Sequence, residues 1–211
     1  MSYIKESLPA TVTISREKND PRFIRLITNS NEVTENAEES TDSTLCALRN
    51  YFAQIIKVMQ GRVDCPYAFE VERKNGYRIA LYDEHPQDIN IIEIFEEMKK
   101  KFNQLSSAIT EKGQPIDPHS IVAAFSHPLA LEPEFCLQLD ELRNTVRLNT
   151  MRSGMMMSQM HPHHPATPGR HVSFVSPVPM INLRRMHQAD RRILEREPAT
   201  KIIFENIFDR A

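Results

Sequence analysis

The side chains with the clearest capacity for chemistry lie in one stretch of methionines and histidines, NTMRSGMMMSQMHPHHPATPG. Its thioether and imidazole groups are of the kind that bind copper and zinc. They belong to Met155, Met156, Met157, Met160, His161, His163 and His164. Pro162 separates His161 from the other two histidines, and the stretch has no helical or strand period that would fix a ligand geometry. We therefore expect a low-complexity tether, with no metal and no cofactor.

A nucleophile would have to be assembled from distant residues. Cys136 with His127 as its base is conceivable, but a cysteine beside Phe135 and Leu137 in a helical pattern is typical of a small buried residue. The chain has 5 glycines and contains no Gly-rich phosphate loop, no Gly-x-Ser-x-Gly and no His-Glu-x-x-His. The sequence predicts a protein that is not an enzyme.

A short basic and apolar segment, ATPGRHVSFVSP, follows the methionines and histidines. In an extended strand Arg170, Val172 and Phe174 would lie on one face, so the two apolar side chains could fill neighbouring pockets while the backbone adds to a sheet edge. The segment resembles the RVxF-type peptide that docks on protein phosphatase 1. The resemblance implies that phosphatase as a partner. The alternative is that Val172, Phe174 and Val175 form a short strand that anchors the segment on the domain.

Hydroxyl groups around this match could regulate it. Ser173 occupies its variable position, and Thr167 and Ser176 each precede a proline. A phosphate adds about −1.5 to −2 charges and could not follow its neighbours into apolar pockets. Phosphorylation is therefore expected to release the partner, although such residues are also common in plain linkers.

A second match of the same form, Lys201, Ile202 and Phe204, lies near the end of the sequence. An extended peptide would leave Ile203 exposed, whereas a helix places it on one face with Phe204, Ile207 and Phe208. We expect a helix whose apolar face packs against another protein surface. It is a candidate surface for assembly with another protein or with a second copy.

Composition narrows the class of partner. Among 211 residues, Lys+Arg 26 and Asp+Glu 28 give a net charge of −2, so no nucleic acid is expected as a partner. The cysteines, Cys46, Cys65 and Cys136, fit neither a disulfide framework nor a metal knuckle. The sequence shows no apolar run of about 18 residues and no apolar run after its first charges. We expect a cytoplasmic or nuclear protein without a membrane segment.

Apolar alternation predicts four strands. The stretches ATVTISRE and RFIRLITNS form one pair, and YAFEVERKNGYRIALYDE forms a hairpin. A three-residue loop that ends in a left-handed Gly76 would pair Val71 with Ile79 and Phe69 with Leu81 on one face.

Helical periods and capping residues predict the helices. They comprise a helix from Ser43 to Gly61, a long helix from Asp88 to Gly113, a short helix from Asp117 to Phe125, a helix from Pro133 to Leu148, and a basic helix from Ile181 to Arg196. The predicted fold class is α+β, with a four-stranded antiparallel sheet covered by helices. The predicted domain spans residues 10–148, after a flexible N-terminus of residues 1–9. A disordered linker, residues 149–180, and a helical interaction segment, residues 181–211, follow it.

The interpretation is an adaptor or regulatory subunit. Its folded domain would bind a protein partner, and its tail would recruit protein phosphatase 1. Two alternatives stay open: a structural subunit of an assembly with no phosphatase role, and an enzyme without recognisable motifs.

Overall fold

The computed structural model describes residues 13–17, 20–27, 44, 47–48, 51, 71, 74, 76–105, 109–111, 113, 115–164 and 175–209. The strands are β1 (Thr13–Glu17), β2 (Asp20–Ile27), β3 (Tyr77–Tyr82), β4 (Ser120–Phe125), β5 (Met155–Met160) and β6 (Met180–Arg185). The α-helices are α1 (Ile91–Leu105), α2 (Pro133–Arg152), α3 (Arg191–Leu194) and α4 (Pro198–Phe208). Short 3-10 helices occupy Pro86–Asp88, Pro128–Leu131 and Gln188–Asp190. In this part of the chain no helix is both long enough and apolar enough to cross a membrane.

The strands form one sheet in the order β1-β2-β3-β4-β6-β5. The predicted α+β class is confirmed, but the sheet is mixed: β3 and β4 are parallel, and every other neighbouring pair is antiparallel. Parallel neighbours require a crossover, and the segment that contains α1 provides it. The prediction of a purely antiparallel sheet is therefore wrong.

The predicted hairpin before β3 does not form. Val71 is helical and buried, and Ile79 lies opposite Ile24 of β2 and Val122 of β4. Gly76 is not left-handed either, since the described glycines with positive φ are Gly113 and Gly154. A Cβ at Gly76 would collide with the Pro118 carbonyl oxygen, so close backbone approach rather than turn geometry requires glycine there.

The segment predicted as a short helix from Asp117 is instead the central strand β4. All six of its residues are buried. A strand buried on both faces has a continuous apolar run, which resembles a buried helix in sequence. The Asp-Pro pair, which indicates a helix start, lies in the turn before the strand.

The segment predicted as a linker contains parts of the core. Helix α2 runs to Arg152, and β5 places Met155, Met157 and Met160 in buried positions. The expected basic helix begins as β6, which pairs with both β4 and β5. Methionine is a flexible, adaptable core residue. Strand β5 can therefore form beside β6 although its sequence lacks the β-branched residues that are typical of strands.

Helices α1 and α2 cover one face of the sheet. The predicted apolar seam of α1 is present in Phe95, Met98 and Phe102, which pack with Ile121 and Phe125 of β4. This helix ends at Leu105, and Ile109 lies in an isolated β-bridge with Pro115, so the predicted end at Gly113 is wrong.

On the other face, Leu48, Tyr51 and Val71 pack with Ile79, Val122 and Met180. Thr44, Ala47, Leu48 and Tyr51 are helical, as predicted, and the other residues of that predicted helix lie outside the described residues. A third cluster joins Ile203 and Phe204 of α4 to Met151, Met186 and Leu194. The C-terminal helix therefore packs on its own domain.

A buried ion pair fixes the chain after β6. Arg184 donates to both carboxylate oxygens of Asp190, at 2.8 and 2.6 Å, and the His187 amide donates to the same carboxylate at 2.8 Å. The two side chains are 14 % and 7 % exposed. Burial raises the pKa of Asp190, but the charge and hydrogen bonds of Arg184 outweigh it, so the pKa lies below its ordinary value of 3.8.

Asp190→Asn should lower the free energy of unfolding by about 3 kcal/mol at neutral pH, because it leaves the Arg184 guanidinium buried without its counter-charge. A depressed carboxyl pKa adds stability above its unfolded value, and that stability disappears as pH falls through the folded value. In denaturant titrations the wild-type and variant curves should therefore converge below pH 3.8. Asp83→Asn, at an exposed position, is the matched control and should change stability by under about 0.5 kcal/mol. A wild-type advantage that stays constant into acid would contradict this role.

Candidate functional site

The polar residues of greatest interest collect at one end of the sheet, which we call the carboxyl end. Parallel strands β3 and β4 finish there, and Met180 at the start of β6 lies opposite both Ala124 of β4 and Met160 of β5. In α/β proteins ligands bind outside the carboxyl ends of parallel strands, where the connecting loops meet. The loops after β3, β4 and β5 each carry histidine at this end.

Two histidines at the carboxyl end have the same local structure. His85 and His127 each precede a proline and a 3-10 helix, and each accepts a backbone N–H through Nδ1 at 3.2 Å. Their ring centroids are 5.2 Å apart in an edge-to-face arrangement. Because Nδ1 is an acceptor, the neutral ring carries its proton on Nε2. These rings can donate to a ligand, but they cannot bind a metal through Nε2 while they cap.

A third histidine is buried beside a carboxylate. The His161 ring is 3 % exposed, and its Nε2 lies 3.2 Å from Oδ1 of Asp140. Gln159 Nε2 donates to the same oxygen at 2.8 Å. Nδ1 of His161 is buried and has no hydrogen-bond partner among the described residues. The expectation of an unstructured tether is wrong for residues 155–164, because they form β5 and the turn after it.

The neighbouring histidines are held in the same turn. The His164 amide donates to the His161 carbonyl at 3.1 Å, and the two ring centroids are 5.3 Å apart. His163 Nε2 lies 2.7 Å from the Leu131 carbonyl oxygen, where it can donate to that acceptor. The described part of the chain contains no group of three or more His, Cys, Asp or Glu side chains arranged to hold a metal ion. The methionines of β5 lie on both faces of the sheet. Met155 and Met157 pack under α1 and α2, and Met160 packs on the opposite face.

Cys136 and His127 do not form a nucleophile and base pair. The thiol is 1 % exposed and lies 3.8 Å from the Ala130 carbonyl oxygen, while His127 uses Nδ1 as a cap. Burial, and then the charge of Asp140, raises the pKa of Cys136 to about 11. A thiol with this pKa stays protonated at neutral pH. The interpretation of Cys136 as a small buried residue is confirmed.

The phosphatase-docking match lies in the connection between β5 and β6. Arg170, Val172 and Phe174 lie outside the described residues, and so do Thr167 and Ser173. The flanks of the match are described. On one side, His163 reaches the Leu131 carbonyl, and on the other, the Pro179 carbonyl accepts from the Phe125 amide at 2.9 Å. The described flanks of the match therefore both lie at the carboxyl end of the sheet.

The third phosphorylation candidate is Ser176. It is 2 % exposed, and its hydroxyl donates to the Val178 carbonyl at 2.6 Å. Its neighbour Val175 is 42 % exposed. A kinase could reach the Ser176 hydroxyl only after this segment opens.

The second match lies on α4, and the expected helix is confirmed. Phe204 is fully buried, Ile207 and Phe208 are half-buried, and Lys201 and Ile202 are exposed, the latter by 57 %. An open groove of about 500 Å³ runs between the ends of α2 and α4. It is lined by Arg152, Ala199, Ile202, Ile203, Asn206 and Ile207.

Sequence reasoning missed several residues of the carboxyl end. His85 and Gln159 were not singled out, and the acidic pair Asp140-Glu141 was interpreted as part of a solvated helix face. One signal was available for His85, since His85-Pro86 and His127-Pro128 each follow shortly after an apolar run. No local signal joins Asp140 to Gln159 and His161, because their contact depends on how α2 packs beside β5.

Comparison with known proteins shows the family of this chain. The chain belongs to the family described as "Domain of unknown function (DUF6875)", which matches residues 27–211. That match runs through α1, α2 and the β5–β6 connection to the end of α4. No curated protein matches the chain. No solved structure matches it either.

Proposed function

We propose that the protein is a non-enzymatic adaptor whose β5–β6 connection presents Arg170, Val172 and Phe174 to protein phosphatase 1. The observation that carries the proposal is the placement of this connection. Strand β5 ends at Met160 and β6 begins at Met180, and the two strands are hydrogen-bonded neighbours. The two ends of the intervening segment therefore lie at the same end of the sheet.

Fixed ends favour docking for a physical reason. A loop anchored at both ends has less conformational freedom than a free tail, so less entropy is lost when it binds. The connection is held on one side by the contact of His163 with Leu131 and on the other by the hydrogen bond that the Phe125 amide donates to the Pro179 carbonyl. An RVxF-type peptide binds as an added strand, and an extended loop between such anchors can adopt that conformation.

Apolar residues beside the connection enlarge the available contact surface. Leu129 and Leu131 of the 3-10 helix after β4 are 46 % and 38 % exposed, and Val175 is exposed on the connection itself. The contact of His163 with the Leu131 carbonyl brings one flank of the connection to this helix. Partly exposed apolar side chains around a docking peptide exclude water from its central anchors.

The carboxyl end offers little support for catalysis. The buried Cys136 thiol stays protonated, and the His85 and His127 rings are occupied as caps. These observations favour a binding role over an enzymatic one. Of the phosphorylation candidates, Ser173 fits regulation best, because Ser176 is buried and Thr167 precedes the match.

Val172→Ala with Phe174→Ala in the full chain should weaken binding to protein phosphatase 1 by at least tenfold, because the two apolar anchors supply most of the contact energy. The measurement is a calorimetric titration of the phosphatase catalytic subunit. Ile193→Ala, at a side chain that is 54 % exposed on α3, is the matched control and should bind like the wild type.

Two outcomes would contradict the proposal. One is the absence of saturable binding by the wild-type chain, and the other is binding by the double variant as tight as that of the wild type. A lower thermal midpoint for the double variant, with no phosphatase binding by either chain, would indicate that Val172 and Phe174 anchor the connection on the domain.

A second candidate function, self-assembly, is favoured by the exposed face of α4. Ile202 is 57 % exposed beside the apolar groove, and Lys201 and Glu205 lie one turn apart, 3.7 Å from each other. If two copies paired through the exposed faces of antiparallel α4 helices that cross midway between Lys201 and Glu205, Lys201 of each copy would face Glu205 of the other. The helix pairing would then be complementary in charge.

Ile202→Glu should convert such a dimer to a monomer, because it places two carboxylates in the apolar contact. Light scattering after size-exclusion chromatography measures the mass. Ile92→Glu, at a side chain that is 60 % exposed on α1, is the control and should leave the mass unchanged. A wild-type chain that is monomeric up to about 100 µM would rule out this assembly.

A further inference from the structure

The His161 imidazole is polar, buried and only partly satisfied. The side chain is only 3 % exposed, and its Nδ1 has no hydrogen-bond partner among the described residues. Buried polar atoms in native proteins are nearly always paired, so an unpaired one calls for a physical explanation.

The hydrogen bonds around His161 determine which nitrogen carries the proton. Nε2 lies 3.2 Å from Oδ1 of Asp140, and that carboxylate is oriented by a 2.8 Å hydrogen bond from Gln159. A carboxylate accepts, so Nε2 carries the proton and Nδ1 keeps a lone pair. Metal-binding histidines have this arrangement, in which one ring nitrogen donates to a carboxylate and the other binds the ion.

A second imidazole lies at a suitable distance. The His161 and His164 ring centroids are 5.3 Å apart. With metal–nitrogen bonds of about 2.1 Å and a tetrahedral angle, two ligating imidazoles hold their centroids about 5 Å apart. The turn that relates the rings is fixed by the His164 amide bond to the His161 carbonyl and by the contact of His163 with Leu131.

We propose that the turn after β5 binds one divalent transition-metal ion through Nδ1 of His161 and the imidazole of His164, with Asp140 as the positioning carboxylate. Imidazole ligands favour Zn²⁺, Ni²⁺ and Cu²⁺ over Mg²⁺ and Ca²⁺. The described residues supply two ligands rather than three, so the other positions on the ion are filled by water or by a bound partner. Binding in the micromolar range is therefore expected.

The site lies at one flank of the connection that carries Arg170, Val172 and Phe174. An ion bound there would fix His161 and His164 relative to each other and would stiffen the start of that connection. The metal site is independent of the docking proposal, because its ligands and its hydrogen bonds lie within the described residues.

The test is calorimetric titration of the untagged full chain with Zn²⁺, with Mg²⁺ as the comparison ion. The expected result is one Zn²⁺ per chain and no Mg²⁺ binding. His161→Gln keeps a donor for Asp140 but removes the Nδ1 ligand, so it should weaken Zn²⁺ binding at least tenfold. Asp140→Asn should also weaken it about tenfold or more, as expected for a residue that orients a ligand.

His85→Asn is the matched control. Asparagine caps helices well, and the His85 ring lies in the other histidine pair, so this variant should bind Zn²⁺ like the wild type. Should His161→Gln fail to fold by circular dichroism, His164→Ala provides the second variant and should show the same tenfold loss. Absence of saturable Zn²⁺ binding by the wild type, or undiminished binding by a folded His161 or His164 variant, would overturn the proposal.

Discussion

Parallel pairing of β3 with β4 is the constraint on which the rest of the structure depends. Because the two strands run the same way, the chain must cross over between them, and it does so through α1, which then covers β4 and β6. The same pairing brings the loops that follow both strands to one end of the sheet. His85 and His127 meet there because each begins the turn after one of these strands.

Burial of the methionines in β5 determines how the candidate docking segment is presented. Met155 and Met157 fill the core under α1 and α2, and β6 pairs along the whole of β5. A segment whose composition suggests a solvated linker is thereby held as a strand at the edge of the sheet. The connection that contains the docking match therefore begins and ends at one end of the sheet, and His161 is a buried residue beside Asp140.

The elements that the sequence predicted well are those with local signals. The period of α1 and the proline start of α2 depend only on nearby residues, and both helices are present. Strand β3 was predicted from its alternation, but its neighbours were not, because the choice of partner depends on distant residues. The sequence of β4 resembled a helix because a buried strand and a buried helix both give a continuous apolar run. Strand β5 was not predicted because it lacks the β-branched residues that are typical of strands. The contact of His161 with Asp140 joins residues 21 positions apart, which no local pattern predicts.

The central claim is that the methionine-rich segment completes the sheet, so that the connection carrying the docking match begins and ends beside paired strands. Native-state amide hydrogen exchange, read by mass spectrometry on peptides from residues 155–160 and 180–185, tests it most directly. The account predicts that these peptides are protected to a degree comparable with β4. The first peptide is β5, which is hydrogen-bonded to β6, and the second is β6, which is hydrogen-bonded to both β5 and β4. Exchange of residues 155–160 at the rate of an unfolded chain would contradict it.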